Sequence, residues 1–170
     1  MINLTQLLSI SHLTKTSLRY NKEESPVIVW NLTKRCNLDC RFCYYDAKNQ
    51  SSDTIDYYLA KRIATQIRQA KIKYLLLSGG EPLLYPKIIT LIKGLTPFVR
   101  VGISTNGTLI SQELADELKR IGTDYIGISL DGPEEIHNAL RNSPTAFSQA
   151  LEGLRYAQGA RLKTGIRLTL

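Results

Sequence analysis

Three closely spaced cysteines are the residues of this chain best suited to chemistry. Cys36, Cys40 and Cys43 lie within eight residues, and the sequence contains no other cysteine. An odd number of thiols at this spacing is a poor basis for disulfides, because adjacent bridges would be strained and one thiol would be left over. Clustered thiolates are good ligands for soft metals. The spacing therefore predicts a metal site in a reducing compartment, which we take to be the cytoplasm.

The number of thiols separates two kinds of metal site. A structural zinc ion needs four ligands in a closed shell, and the two histidines, His12 and His137, are distant in the sequence. A [4Fe–4S] cluster normally takes four thiolates, so three thiolates from one loop would leave one iron open to a small chelating ligand. The count favours a catalytic iron–sulfur site, and a structural zinc domain is the least favoured alternative.

The cysteine loop follows the first of five predicted strands. Short, almost uniformly apolar segments alternate with amphipathic ones, as expected for parallel strands that helices cover on both faces. The predicted strands are 27–31, 73–77, 100–104, 124–130 and 163–170. Helices are predicted at 54–72 behind an Asp53–Thr54 cap, at 86–95, at 111–121 before a Gly122 stop, from 134, and at 145–158 before a Gly159 stop.

This alternation predicts an α/β fold, either an open doubly wound sheet or part of a barrel. The length excludes a closed eight-stranded barrel. A chain that stops on an apolar strand leaves an uncovered sheet edge. We therefore expect a truncated product, a fragment, or a chain whose edge a second chain covers.

Polar motifs follow the next three strands, as the cysteine loop follows the first. Turn formation alone explains any one of them. Because the carboxyl ends of parallel strands share one face, all three should converge with the cysteines at one ligand site. The motifs are Gly79-Gly80-Glu81-Pro82, Ser104-Thr105-Asn106-Gly107 and Ser129-Leu130-Asp131-Gly132.

Composition and charge exclude several function classes. The chain has 170 residues, of which 43% are hydrophobic, and 22 Lys and Arg against 15 Asp and Glu give a net charge of +7. No apolar run approaches the ~18–20 residues of a membrane span, and the start has no secretory signal pattern. The basic residues are spread along the chain rather than forming an arm, so we expect no nucleic-acid partner. The positive charge is compatible with an acidic substrate.

Together these motifs resemble the radical S-adenosylmethionine (SAM) superfamily. The cysteine loop has the pattern Cys-x3-Cys-x-aromatic-Cys, and the three polar motifs follow in the matching order. The resemblance covers about residues 26–170, with 1–25 as an N-terminal extension. It implies a partial (βα)6 TIM-like barrel, here truncated after the fifth strand.

The resemblance also implies the cofactors and the reaction. Cys36, Cys40 and Cys43 match the ligands of a [4Fe–4S] cluster whose open iron chelates SAM. One electron cleaves a carbon–sulfur bond of SAM, and the resulting 5′-deoxyadenosyl radical abstracts hydrogen from a substrate. A ferredoxin or flavodoxin would supply the electron. The other matching residues are Phe42, Gly79, Gly80, Glu81, Ser104, Asn106, Ser129, Asp131 and Arg167.

Each of these matches carries an expected role. The backbone of Phe42 lies where the family contacts adenine, and Gly79-Gly80-Glu81 matches the motif that receives the methionine amino group. Ser104 and Asn106 match residues that contact the cofactor or support its loop. Ser129 and Asp131 match the position that reads the ribose or the methionine carboxylate. Arg167 would pair with that carboxylate, or be a solvated charge at a strand end.

The motif from Ser129 through His137 to Arg141 resembles the SPASM-type branch, whose members carry extra cysteines in a C-terminal extension. This chain has no further cysteines for auxiliary clusters, and Asn142 stands where the branch usually has glycine. Taken alone, His137 predicts a solvated helix residue.

The lead-in 26–36, which includes Trp30, and the segment 7–19 resemble the radical enzymes of alternative haem and haem d1 biosynthesis. This implies a polycarboxylate tetrapyrrole derived from sirohaem as the small-molecule substrate. Taken alone, Trp30 predicts a core aromatic. Two alternatives stay open: a maturase that modifies peptides or proteins, and an iron–sulfur and SAM-binding module without catalysis of its own.

Overall fold

Five parallel strands form one sheet in chain order. The computed structural model describes residues 26–47 and 51–169, so the predicted extension at 1–25 lies outside the described residues. Each strand pairs in parallel with its neighbours in the sequence. The strands are β1 (Val27–Asn31), β2 (Tyr74–Ser78), β3 (Arg100–Thr105), β4 (Tyr125–Ser129) and β5 (Thr164–Arg167). This confirms the predicted α/β architecture, although β5 ends before the predicted 170.

Five helices connect these strands. They are α1 (Tyr57–Gln69), α2 (Ile88–Leu95), α3 (Gln112–Arg120), α4 (Glu134–Arg141) and α5 (Ala146–Gly159), and a 3-10 turn spans Pro82–Leu84. No helix in the described part of the chain is both long enough and apolar enough to cross a membrane.

The start of α1 differs from the prediction. Asp56, rather than Asp53 or Thr54, caps the helix by accepting hydrogen bonds from the N–H groups of Tyr58 and Leu59 at 2.8 and 3.0 Å. The backbone at Thr54 is extended and bridges to Thr33 just after β1. The N–H of Ile55 and the carbonyl of Asp53 bond to the segment just after β1, so they cannot take part in a first helical turn.

Gly122 and Gly159 were predicted to end two of the helices, and the structure agrees for one of them. Gly122 follows the C-cap residue Ile121 of α3 and has a φ of +87°, which confirms that stop. Gly159 is instead the last residue of α5, and the left-handed conformation falls on Arg161, with a φ of +57°. The prediction that Gly159 ends α5 is therefore wrong, because the left-handed residue after this helix lies two positions later.

One face of the sheet forms the main core. Its side chains are fully buried beneath the helices: Leu75, Leu77, Val101, Ile103, Ile126 and Ile128 are all 0% exposed. Trp30 joins this core at 8% exposed, which confirms its prediction as a core aromatic. Successive residues of a strand alternate between faces, so the side chains between these core positions lie on the opposite face.

Helix α5 packs closely on the loop that follows β3. A Cβ atom at Gly153 would overlap the carbonyl oxygen of Gly107. We expect Gly153→Ala to lower the free energy of unfolding by about 1–3 kcal/mol, because the loop would have to move away from the helix. Gly94→Ala in α2 is the matched control, since an added Cβ there meets no atom within 4 Å.

The control should raise stability by up to about 1 kcal/mol, because alanine is the better helix former. Urea denaturation of both variants measures these changes. A Gly153→Ala protein as stable as the wild type would contradict the close packing of α5.

Candidate metal centre and adjoining cavity

The three cysteines share one small apolar patch at the carboxyl end of β1. Cys36 is 6% exposed and is buried with Leu38, Ala47 and Ala146, while Cys40 and Cys43 pack against them. All three are free thiols. The patch brings the three predicted ligands together on one loop.

Each sulfur also has a nitrogen donor nearby. The N–H of Leu38 donates to Cys36 Sγ at 3.5 Å, and the N–H of Ala47 donates to Cys43 Sγ at 3.3 Å. The guanidinium of Arg141 lies 3.6 Å from Cys40 Sγ. Donors of this kind stabilise thiolates bound to iron and tune the cluster.

Burial favours the protonated thiols of Cys36 and Cys40 when no metal is bound. It raises the pKa of Cys36 to about 11, against the opposing hydrogen bond from Leu38. It also raises the pKa of Cys40, against the lowering influence of Arg141. Because ligand thiols must lose their protons, metal binding here releases protons and is favoured by higher pH.

The number of thiols distinguishes a zinc ion from a cluster. A structural zinc ion takes four ligands in a closed shell, whereas the cysteine loop provides three free thiols. In a [4Fe–4S] cluster each thiolate binds a different iron. Three thiolates therefore fit a cluster that leaves one iron open.

The loop after β2 touches the backbone that leads into the cysteine loop. Gly80 N–H donates to Thr33 O at 2.7 Å, and Glu81 N–H donates to Arg35 O at 2.8 Å. Cβ atoms at Gly79 and Gly80 would overlap the same two carbonyl oxygens, and Gly79 has a φ of +142°. Both glycines are therefore required by this close backbone contact.

The carboxylate of Glu81 points away from the cavity. It is 0% exposed and accepts hydrogen bonds from Leu83 N–H, Thr105 Oγ1 and Asn106 N–H at 3.0, 2.8 and 2.9 Å. These donors hold the carboxylate against the loop after β3, and its expected contact with the methionine amino group stays a prediction. Burial raises its pKa to about 7, although the hydrogen bonds oppose the shift.

Asn106 connects the loop after β3 to the cysteine loop. Its Nδ2 donates to Asn37 Oδ1 at 2.9 Å and lies 3.9 Å from Cys36 Sγ. Its Oδ1 accepts from the N–H and hydroxyl of Thr108 at 3.0 and 2.8 Å. Of the two roles expected for Asn106, this geometry supports the one in which it holds the loop.

A cavity of about 460 Å³ adjoins the cysteines at the carboxyl ends of the strands. Ten of the twelve predicted site residues line it; Glu81 and Asp131 do not. The lining residues are Cys36, Cys40, Cys43, Phe42, Gly79, Gly80, Ser104, Asn106, Ser129 and Arg167. Sequence reasoning missed Tyr44, Tyr45 and Leu76 in this wall. The aromatic pair directly after Cys43 was the available signal.

The carboxylate of Asp131 is buried against Arg141 and Thr169. It is 0% exposed and lies 2.7 and 2.6 Å from Arg141 Nε and Nη2, and it also accepts from Thr169 N–H at 3.1 Å. These contacts orient Arg141. The expected contact of Asp131 with ribose or carboxylate stays a prediction.

His137 is 1% exposed, so the prediction of a solvated helix residue is wrong. Its Nδ1 accepts from Asp131 N–H at 3.1 Å. Burial, aided by the charge of Arg141, lowers its pKa. The neutral ring acts as an acceptor that fixes the backbone at Asp131.

The buried charge of Glu81 makes stability depend on pH. A carboxyl whose pKa is raised on folding carries no penalty below its unfolded pKa, and the penalty grows as pH rises from the unfolded pKa to the folded one. We expect the free energy of unfolding of the wild type, relative to Glu81→Gln, to fall between pH 5 and 8 by on the order of 3 kcal/mol. Urea denaturation of both apo proteins measures the difference, and parallel pH profiles would contradict the buried charge.

Comparison with known proteins identifies the family of this chain. The sequence matches the Radical SAM superfamily over residues 30–170. It is 38% identical to Fe-coproporphyrin III synthase of Methanosarcina barkeri over 159 residues, and 40% identical to pre-heme d1 synthase of Dinoroseobacter shibae over 147. These alignments cover 90% and 85% of this chain. The chain spans only 39% and 36% of the length of these relatives.

Solved structures share the fold. Streptococcus suis SuiB, in structures described as bound to precursor peptide SuiA and to S-adenosylmethionine, has TM-scores of 0.73 and 0.71 with this chain. Identity is 20%, and the match covers 85% of this chain and 33% and 34% of those chains. The five-stranded sheet thus corresponds to part of the TIM-like barrel of these proteins.

The comparisons confirm the predicted family, fold and cofactors. The family comprises enzymes that use a [4Fe–4S] cluster and SAM. The three thiols are suitable ligands for such a cluster, and the adjoining cavity offers space for SAM. The match over residues 30–170 covers more than half of the chain, which therefore belongs to the radical SAM superfamily.

Proposed function

We propose that this chain forms the SAM-cleaving part of a radical enzyme that acts on a polycarboxylate tetrapyrrole. The observation that carries the proposal is the placement of the three thiols in the wall of the 460 Å³ cavity. A ligand in this cavity lies directly against whatever the thiols hold. This proximity is what an inner-sphere electron transfer to a bound molecule needs.

The cysteine loop would hold the cluster. Cys36, Cys40 and Cys43 provide its thiolates, and the surrounding apolar patch limits the access of water. When bound, the cluster supplies the electron that splits a carbon–sulfur bond of SAM and so starts hydrogen abstraction from the substrate. Leu38 and Ala47 hold two of the sulfurs by their N–H groups.

The cavity wall would bind and orient SAM. Gly79 and Gly80 form part of the wall beside the cysteines, and the hydroxyls of Ser104 and Ser129 offer hydrogen bonds to ribose and methionine. The backbone of Phe42 would contact adenine. The described wall contains arginines and no carboxylate, which suits a ligand that carries a carboxylate group.

Arg167 would supply one of these charges to the methionine carboxylate. It lies in the wall at the end of β5, next to Ser129 of β4 across the sheet. A planar guanidinium binds carboxylates through two parallel hydrogen bonds, so this position fits better than a fully solvated strand end.

The tetrapyrrole is the finer part of the proposal. The two relatives quoted above are named for the synthesis of a coproporphyrin and a haem precursor, at 38% and 40% identity. The net charge of +7 favours an acidic substrate. We propose a ferredoxin or flavodoxin as electron donor and a cytoplasmic location, where the thiols stay reduced.

A binding module is the second candidate. The chain spans 39% and 36% of the two relatives, so catalysis by the whole protein would use more than this region. In that case this region binds the cluster and SAM, and a second chain or a further segment completes the barrel.

Anaerobic reconstitution with iron and sulfide distinguishes the two candidates. The chain is incubated with SAM and dithionite, and 5′-deoxyadenosine is measured by mass spectrometry. Formation of 5′-deoxyadenosine supports the enzyme, and sirohaem-derived tetrapyrroles can then be tested as substrates. Cluster and SAM binding without this product supports the module, and the absence of an iron–sulfur cluster would overturn both.

We expect Cys40→Ala to lower bound iron at least tenfold and to abolish SAM cleavage, because a cluster ligand is lost. Ser148→Ala is the control: it removes a similar atom from an exposed position on α5 and should leave both quantities unchanged. Iron analysis and the visible absorption spectrum of the cluster measure the outcome. Retention of a full cluster spectrum in Cys40→Ala would contradict the ligand assignment.

A further inference from the structure

We propose that Arg141 is a positioning residue that raises the reduction potential of the cluster by donating a charged hydrogen bond to the sulfur of Cys40. The inference deepens the proposed function and rests on it. Arg141 is buried at the last position of α4, and its Nη1 lies 3.6 Å from Cys40 Sγ.

The guanidinium is held on the side opposite the sulfur. Its Nε and Nη2 both contact Asp131 Oδ2, at 2.7 and 2.6 Å. This leaves Nη1 directed at Cys40. The guanidinium also lies over the ring of Phe42, 5.1 Å from its centroid. Its position between ring, carboxylate and sulfur restricts rotation of the side chain.

The backbone around Arg141 is tied to the cysteine loop as well. Arg41 N–H donates to Leu140 O at 3.0 Å, which joins the loop to the end of α4. Asn142 ends the helix with a φ of +51°. The separation between guanidinium and sulfur is therefore set by two independent attachments of α4, one through the backbone and one through Asp131.

Arg141 differs in kind from the other donors to the thiols. Cys36 and Cys43 receive neutral backbone N–H groups, whereas Cys40 faces a cation. Reduction adds negative charge to the cluster, so a cationic donor at one ligand stabilises the reduced form and raises the potential. Asp131 partly offsets this charge, but the guanidinium lies between the carboxylate and the sulfur.

A purely structural role would also be disrupted by mutation, so the sign of the potential shift is the decisive measurement. Arg141→Met removes the cation, and we expect the ratio of reduced to oxidised cluster at a fixed potential to fall about tenfold. For a one-electron couple this is about 59 mV. Asp131→Asn removes the opposing anion but keeps an oxygen acceptor for Arg141, and it should shift the potential in the positive direction.

The experiment uses the full 170-residue chain, reconstituted anaerobically without SAM and titrated with reductant while the spectrum of the reduced cluster is recorded. Arg141→Lys keeps the charge and should lie between wild type and Arg141→Met. Arg120→Met is the matched control, because it removes an arginine that is 65% exposed on α3 and paired with Glu117. Its potential should equal that of the wild type.

The outcomes separate this inference from the proposed function. A wild-type chain that binds no cluster overturns both. A cluster whose potential is unchanged in Arg141→Met, or shifts the same way in Arg141→Met and Asp131→Asn, overturns the inference alone. If Arg141→Met does not retain a cluster, opposite shifts in Arg141→Lys and Asp131→Asn decide the question, and shifts of one sign overturn the inference.

Discussion

A buried carboxylate holds the cysteine site together. Glu81 follows β2, yet its oxygens accept hydrogen bonds from Thr105 and Asn106 at the end of β3, and its N–H reaches Arg35 after β1. Three strand ends are joined by one residue that has no contact with solvent. Burying a charge is costly unless donors surround it, and here the donors are the loops that the site must align.

The acidic and the basic side chains around the cavity differ in where they lie. The carboxylates of Glu81 and Asp131 point into the protein, where each is surrounded by donors. Arg141 and Arg167 lie in the cavity wall. The acidic residues therefore build the site, while the basic ones face its contents. An anionic cluster and a carboxylate-bearing ligand both benefit from this arrangement.

Sequence reasoning found the strands, the cysteines and the glycine motifs, because each depends on local pattern and order along the chain. It predicted Ser104 and Ser129 as cofactor contacts because parallel strands end on one face. Both line the cavity, and their contacts with the cofactor stay predictions. It did not predict the hydrogen bonds that Glu81 and Asp131 accept from Thr105, Asn106 and Thr169, because these donors lie 24 to 38 residues away. It also began α1 too early, because Thr54 bonds across to Thr33 instead of starting a helix.

In the contact between the loop after β2 and the segment that leads into the cysteine loop, that segment contributes only main-chain atoms. Gly80 and Glu81 bond to the carbonyl oxygens of Thr33 and Arg35, not to their side chains. The Arg35 side chain is exposed, so many residue types can supply the same carbonyl. The two glycines have no such freedom. Residue substitution should therefore be unequal on the two sides of this contact. Positions 79 and 80 should stay glycine, whereas position 35 should accept many residue types.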